Sequence, residues 1–316
     1  MLILAKDHPL RTQLSDEGMI LTRQEAHEKK LNPLRIGFIN LEPNMLLAEL
    51  RNARMFCHSP LPVEMVWIHM TTHKRSGRNV NLEHVDTYYS GYFEVQKSNP
   101  VDGLIISGAS ERIEKMKFEE IDYWEELRSI YLNVAEQIPL TMYHCWSVSA
   151  SMYTRYGVQT CIYPQKIAGI VKVSKIQDNI LINDMDDEIS LCHSRNIYIY
   201  EEDINLLIQK GEIVALYASS EQPEALNGEK IGCCIFTDKH RRSLYNFGHI
   251  EYLPEYIANE VQRDRKQNPP ILYPVYNYYT KQSDGSWHIP EYTWRSAGRI
   301  LYENFINECH VQKQLR

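Results

Sequence analysis

Three residues of this chain have the types and spacing for acyl-group chemistry: Cys145, His249 and Glu251. A cysteine nucleophile needs a base that keeps it as thiolate, and the base needs a carboxylate to orient it. Pro139-Leu140-Thr141-Met142-Tyr143 reads as a short buried strand running into His144-Cys145-Trp146, and a helix follows to about Tyr156-Gly157. A strand that breaks into a helix at one nucleophile is an elbow. The helix N-terminus beneath it offers free N–H groups and positive potential, which lower a thiol pKa and hold an oxyanion. His249 and Glu251 follow about 100 residues later in Gly248-His249-Ile250-Glu251. Two residues apart on an extended segment, they point the same way. Each feature alone has a plainer reading. Free cysteines are mostly core, the usual elbow glycines are missing, and a His-x-Glu beside a helix start is common.

The elements around these residues alternate. Arg35–Asn40 reads as the first strand, followed by a helix over Asn44–Cys57 and a second strand over Pro62–Met70. A charged loop, Thr71–Asn81, leads to a helix through His84, Tyr88 and Tyr89. Val101–Ser107 is a third strand, apolar through most of its second half as strands buried on both faces are, and a helix covers Ile121–Glu136. The fourth strand enters Cys145. Repeated β-α units predict an open parallel sheet with its site at the C-terminal ends of the strands. The second half is richer in strands: Ile167–Val173, Ile197–Tyr200, Ile213–Tyr217, Gly232–Thr237 and Ser243–Phe247. A helix over Pro254–Arg265, a linker at Asn268-Pro269-Pro270, an aromatic, turn-rich tail and a last helix over Thr293–Cys309 complete the chain.

Composition excludes several functions. With 316 residues, a net charge of −7 and scattered Lys and Arg, the chain has no footprint for a phosphate backbone, so no nucleic-acid partner is expected. No apolar run is long enough to cross a bilayer, so no membrane partner is expected either. Seven cysteines without a C-x-x-C point to a reduced, cytoplasmic protein. The adjacent pairs Cys57-His58, His144-Cys145 and Cys192-His193 lack zinc-site spacing, so no metal is expected.

The order of the motifs carries a resemblance. Strand, cysteine elbow, helix and Gly-His-x-Glu resemble class I glutamine amidotransferases, and more closely the homoserine O-acyltransferases of methionine biosynthesis. The similar text includes Asn40-Leu41-x-Pro43, Asp102-Gly103-Leu104-Ile105-x-x-Gly108-Ala109, Tyr123-Trp124, Cys145-Trp146, Lys166-x-x-Gly169, His193-Ser194-Arg195, Gly248-His249-x-Glu251-Tyr252, Arg263-Asp264 and Trp294-Arg295-Ser296-x-Gly298. It spans most of the chain. The resemblance implies a flavodoxin-like α/β fold: an open, mainly parallel sheet with helices on both faces. It implies a catalytic domain over 34–267, an N-terminal extension over 1–33 that wraps the outside or serves a contact between subunits, and a C-terminal extension over 268–316 packing on the domain.

The activity it implies is ping-pong transfer from acetyl-CoA or succinyl-CoA to the hydroxyl of homoserine, with no permanently bound cofactor and a homodimeric state. Cys145 would carry the acyl group, and His249 with Glu251 would activate the acceptor. Lys166, Ser194 and Arg263 match substrate-binding positions, and backbone N–H groups near Leu41 and Trp146 would form the oxyanion hole. The loop after Gly108-Ala109 would choose the acyl group. An acidic side chain there, Glu111 or Glu114, repels a succinyl carboxylate and favours acetyl, whereas glycine admits succinyl. The chain departs from the pattern at Glu42-Pro43-Asn44, which lacks the family's lysine, at Ser147-Val148-Ser149-Ala150 after the elbow, and in a longer acyl loop. These departures leave serine or another small hydroxy amino acid open as acceptor, and glutamine amide hydrolysis open as an alternative chemistry.

Overall fold

The computed structural model describes residues 1–73, 81–223, 226, 230–283 and 286–315. In chain order the first half holds β1 (Leu2–Leu4), α1 (Leu10–Gln13), β2 (Ile20–Thr22), α2 (Arg23–Glu28), β3 (Leu34–Ile39), α3 (Met45–Phe56) and β4 (Val63–His69). Then come α4 (Leu82–Tyr88), β5 (Tyr89–Gly91), α5 (Tyr92–Ser98), β6 (Gly103–Ile106), α6 (Glu111–Glu114), α7 (Trp124–Gln137), β7 (Thr141–His144) and α8 (Trp146–Tyr156). The second half holds β8 (Thr160–Lys175), β9 (Glu188–Ile199), α9 (Glu201–Gln209), β10 (Ile213–Ser219), β11 (Gly232–Asp238), β12 (Ser243–Asn246) and α10 (Glu255–Arg265). It ends with β13 (Val275–Tyr276), β14 (Thr280–Lys281), β15 (Trp287–His288) and α11 (Arg295–Gln314).

One mixed sheet runs in the order β13-β8-β10-β11-β12-β7-β6-β3-β4-β1-β2, with β5 beside β4 and β9 beside β8. From β12 to β2 every pairing on this path is parallel. The pairings β8-β9, β8-β10, β10-β11 and β11-β12 are antiparallel. Side chains alternate across the sheet and divide the core in two. Ile36, Phe38, Ile105, Met142 and Leu244 share one layer with α3 and α11 residues such as Phe56 and Phe305. Ile39, Leu104, Ile106, Tyr143 and Tyr245 share the other with Leu127 of α7 and Met152 of α8. The mainly parallel sheet with helices on both faces is therefore as expected.

Residues 1–33 do not simply wrap the outside. Leu2, Ile3 and Leu4 are buried, and β1 pairs in parallel with β4 and β2, extending the sheet. Three apolar residues are enough for a short strand between β4 and β2 but too few to show a period. The helix foreseen through Tyr89 ends at Tyr88; Tyr89–Gly91 pairs with β4, and α5 follows. Ile167–Val173 is the middle of a far longer strand, whose register shift between Ile162 and Ile167 breaks its sequence pattern. Most of the charged loop Thr71–Asn81 lies outside the described residues.

The tail joins the sheet at Gly169. This residue has φ +138°, and a Cβ there would sit 1.9 Å from the carbonyl oxygen of Tyr276, whose strand pairs with β8 at Ala168 and Gly169. Only glycine fits so close an approach in that conformation. Gly169→Ala is expected to cost roughly 2–4 kcal/mol and to detach β13, checked by denaturant unfolding and by proteolysis within 268–283.

Candidate active site

Cys145 stands between β7 and α8 with φ 51° and ψ −116°. A positive φ at a residue with a Cβ is strained, and such strain persists only where the surroundings fix it. Here the Cys145 N–H donates to the Asn246 carbonyl at 2.8 Å, locking the elbow to the end of β12. Asn246 and His144 are register partners, so β7 and β12 deliver their C-terminal ends side by side. Beyond β12, the Gly248 N–H donates to Asn246 Oδ1 at 3.0 Å and the His249 N–H to the Cys192 carbonyl at 2.7 Å. His249 Nδ1 then lies 2.8 Å from Glu251 Oε1. At the end of β6, Gly108 leaves the space these groups need: a Cβ there would stand 3.2 Å from Cys145 Cβ and 3.6 Å from His249 Cε1. Cys145, His249 and Glu251 are all buried.

The electrostatics suit a coupled thiol–imidazole pair. Burial pushes the Glu251 carboxyl up, but the charge and hydrogen bond of His249, with the field of Arg51, outweigh it and leave a pKa of about 2. Burial pushes His249 down, and the Glu251 carboxylate and the cysteine more than reverse this, holding the imidazole well above its ordinary value. The Cys145 thiol is raised by burial, opposed by the charge and hydrogen bond of His249. A thiolate facing an imidazolium, with the imidazolium held by a carboxylate, can attack a carbonyl and return a proton to a leaving group.

Cys145 and His249 open into a cleft of about 740 Å³, to which Lys166, Ser194, Arg263, Glu111 and Glu114 also contribute. Lys166 is buried, with Nζ 3.1 Å from Glu260 and 3.4 Å from Asp264, and lies 4.8 Å from the Tyr273 ring centroid. The Ser194 hydroxyl donates to Glu260, whose carboxyl is held to about 2 against burial by Lys166, Ser194 and Arg263. Arg263 is exposed at the rim, and its guanidinium engages Glu260 and Asp264 at 3.2 and 2.7 Å. Glu260 and Asp264 thus organise the cleft wall. Glu260 carried no sequence signal beyond its place three residues before Arg263.

The two acidic candidates of the acyl loop separate. Glu111 pairs with Lys115 one helical turn away at 2.6 Å. Glu114 is buried, with Oε1 3.7 Å from Cys145 Sγ and Oε2 accepting from the Asn196 N–H and Nδ2 at 2.9 and 2.7 Å. Burial raises its pKa, opposed by those bonds and by Lys166 and His249. The two oxyanion candidates also differ. The Leu41 N–H already donates to Ser107 Oγ at 2.8 Å, whereas the Trp146 N–H is the first of α8 and has no acceptor within its helix. At the position lacking the family's lysine, Asn44 caps α3 by accepting from the Leu47 N–H.

Among the described residues one group has donors of metal-ligand type, His8, Glu49 and His84. It reads as a hydrogen-bonded network instead. His84 Nε2 lies 2.8 Å from Glu49 Oε1, the Tyr89 hydroxyl also donates to that oxygen, and His8 Nδ1 accepts from the Leu10 N–H, which leaves the His8 proton on Nε2 facing Glu49. A metal-bound imidazole shows the opposite pattern, donating from its second nitrogen. No described helix is long and apolar enough to cross a membrane.

The family model described as homoserine O-succinyltransferase matches residues 1–315. The chain is 32% identical over 301 residues to a homoserine O-acetyltransferase of Petrotoga mobilis, covering 95% of this chain and 91% of that protein. It is 31% identical over 303 residues to the enzyme of the same name from Streptococcus gordonii, covering 95% and 90%. Among solved structures it resembles a putative GMP synthase component from Thermoplasma acidophilum, with TM-score 0.54, 14% identity, and 90% and 98% of the two chains covered. A glutamine amidotransferase from Thermotoga maritima gives TM-score 0.50 at 11% identity, covering 88% and 98%. At such identities these structures speak for the fold alone, that of the class I glutamine amidotransferases. With a family model over nearly its whole length, the chain belongs to the homoserine O-succinyltransferase family and is an acyltransferase.

Proposed function

We propose that this acyltransferase takes an acetyl group from acetyl-CoA onto Cys145 and passes it to the side-chain hydroxyl of homoserine, a step of methionine biosynthesis. The Cys145 thiolate attacks the thioester carbonyl, and the oxyanion forms near the N-terminus of α8. Collapse expels the CoA thiolate, which takes the proton from the His249 imidazolium. Neutral His249, oriented by Glu251, then removes the proton of the acceptor hydroxyl as it attacks the acyl-cysteine. Collapse of this second intermediate restores thiolate and imidazolium. Lys166, Ser194 and Arg263 would hold the amino acid, with Arg263 turning from its acidic neighbours to the substrate carboxylate. The CoA would enter and leave through the mouth of the same cleft. A homodimer in the cytoplasm is the expected assembly and setting.

The observation that carries the acetyl reading is Glu114, fixed by Asn196 with an oxygen 3.7 Å from the thiol. A succinyl chain on Cys145 would bring a second carboxylate against it, and like charges in a buried site repel strongly. Glu114→Gly is therefore expected to shift the kcat/KM ratio of succinyl-CoA to acetyl-CoA upward by roughly tenfold to a hundredfold. An unchanged ratio would remove Glu114 from donor choice.

The deciding measurement is intact-protein mass after mixing with acetyl-CoA or succinyl-CoA, followed by addition of homoserine. An acetyl adduct on Cys145 that homoserine discharges supports the whole reading. An adduct discharged by serine but not by homoserine keeps the mechanism and changes the acceptor. Absence of any adduct, with ammonia released from glutamine, would replace it by amide hydrolysis.

A further inference from the structure

The residue before the nucleophile has no part in the reaction as written, yet it faces the triad carboxylate. We propose that His144 is a positioning residue that holds the second oxygen of Glu251. This rests on the reading that Cys145, His249 and Glu251 act together, and not on the identity of donor or acceptor.

His144 ends β7 and is buried. Its Nδ1 lies 3.6 Å from Glu251 Oε2, on the opposite side of the carboxylate from the 2.8 Å contact between Oε1 and His249. His144 Nδ1 and Glu251 Oε2 are both buried polar atoms with no hydrogen-bond partner. Two such atoms facing each other carry a desolvation cost that a small approach would remove. A separation of 3.6 Å is too long for a hydrogen bond, but contacts in a catalytic site commonly close only when substrate binds.

The far side of the ring is also set. His144 Nε2 lies 3.4 Å from the Tyr302 hydroxyl of α11 and 3.1 Å from Met142 Sδ. Tyr302 donates its own proton to Asn52 Oδ1 on α3 at 2.7 Å, and Asn52 Nδ2 donates to the Ala48 carbonyl at 3.0 Å. The ring is thus placed between two helices of one layer and the carboxylate. A neutral ring has one N–H, and the carboxylate selects it on Nδ1, because a lone pair facing a buried charge costs more than one facing a phenol oxygen. Burial keeps His144 neutral, with a pKa of about 4 despite the pull of Glu251.

The reaction gives this contact its moment. While His249 is an imidazolium, Oε1 is held by a charge-assisted bond. Once His249 has given its proton away, that bond weakens and the carboxylate depends on Oε2. An N–H from His144 then keeps the carboxylate in the plane that orients His249 Nδ1, so the other nitrogen stays aimed at the acceptor.

The test compares His144→Leu, which keeps an apolar side chain but no donor, with His144→Asn, whose amide N–H can reach the place of Nδ1. Two readouts are needed: kcat and KM for acetyl transfer to homoserine, and the rate of iodoacetamide labelling of Cys145 against the other six cysteines. His144→Leu is expected to lose roughly tenfold in kcat with KM unchanged, the equivalent of one hydrogen bond to a charged group, and His144→Asn to recover to within about twofold of wild type. Should His144→Leu fail to fold, His144→Phe, which keeps a planar ring and removes both nitrogens, is expected to show the same loss of roughly tenfold in kcat. Wild-type turnover in His144→Leu, or equal loss in the Leu and Asn variants, would overturn the inference while leaving the triad standing. If Cys145 of the wild-type protein labels no faster than its other cysteines, the triad reading itself falls, and this inference with it.

Discussion

Cys145→Ser is expected to lower acyl transfer by at least about 10³-fold while leaving thermal unfolding nearly unchanged. The substitution exchanges one chalcogen for another in a site with φ 51°, so the elbow geometry remains available to it. Its chemistry does not. The thiol is within reach of ionisation because His249 opposes the burial that raises its pKa. A serine hydroxyl in the same buried place has a far higher intrinsic pKa and gains too little from the same neighbour to become an alkoxide. The measurement is steady-state turnover together with intact mass after mixing with acetyl-CoA. Retained wild-type turnover would remove Cys145 from the mechanism.

Glu251→Gln is expected to lower kcat by about 10²–10⁴-fold and to alter how stability depends on pH. Glu251 has a pKa of about 2 against an ordinary value of 4.5, so its contribution is fully present above 4.5 and is lost as pH falls through about 2. His249 is raised well above 6.5, so its contribution is fully present below 6.5 and fades as pH rises through the raised value. The pair therefore stabilises most between about 4.5 and 6.5. In the glutamine variant no carboxylate holds the imidazolium, and the amide can present an N–H where His249 Nδ1 needs an acceptor. Denaturant unfolding from acid to mildly alkaline pH should show the wild type's advantage over the variant largest within that window and shrinking on either side of it. A variant with wild-type kcat would leave Glu251 as a structural group only.

The same residues show what was legible along the chain and what was not. Cys145, His249 and Glu251 could be singled out because their chemistry is local: a strand-to-helix break and an i, i+2 pair are written in adjacent residues. The parallel half of the sheet was legible for a similar reason, since strands buried on both faces keep a continuous apolar signal. Short or irregular elements were not. β1 has only three residues, β5 follows directly on a helix, and β8 shifts register before its apolar stretch begins.

What the sequence by itself determined is the set of candidate reacting groups and the β-α order that brings strand ends together. Only the tertiary structure decided which neighbour each group meets. Glu111 and Glu114 are equivalent acids in the sequence, but the former spends its charge on Lys115 and the latter is drawn against the thiol by Asn196 from a distant strand. Leu41 has an N–H suited to an oxyanion by sequence, but in the fold Ser107 occupies it. His144 reads along the chain only as half of an unsuitable zinc pair, and folding sets its ring between Glu251 and Tyr302, which lies 158 residues away. Reactivity is a property of a side chain. Its pKa, its partners and its freedom are set by contacts between residues far apart in sequence, and no local pattern records those.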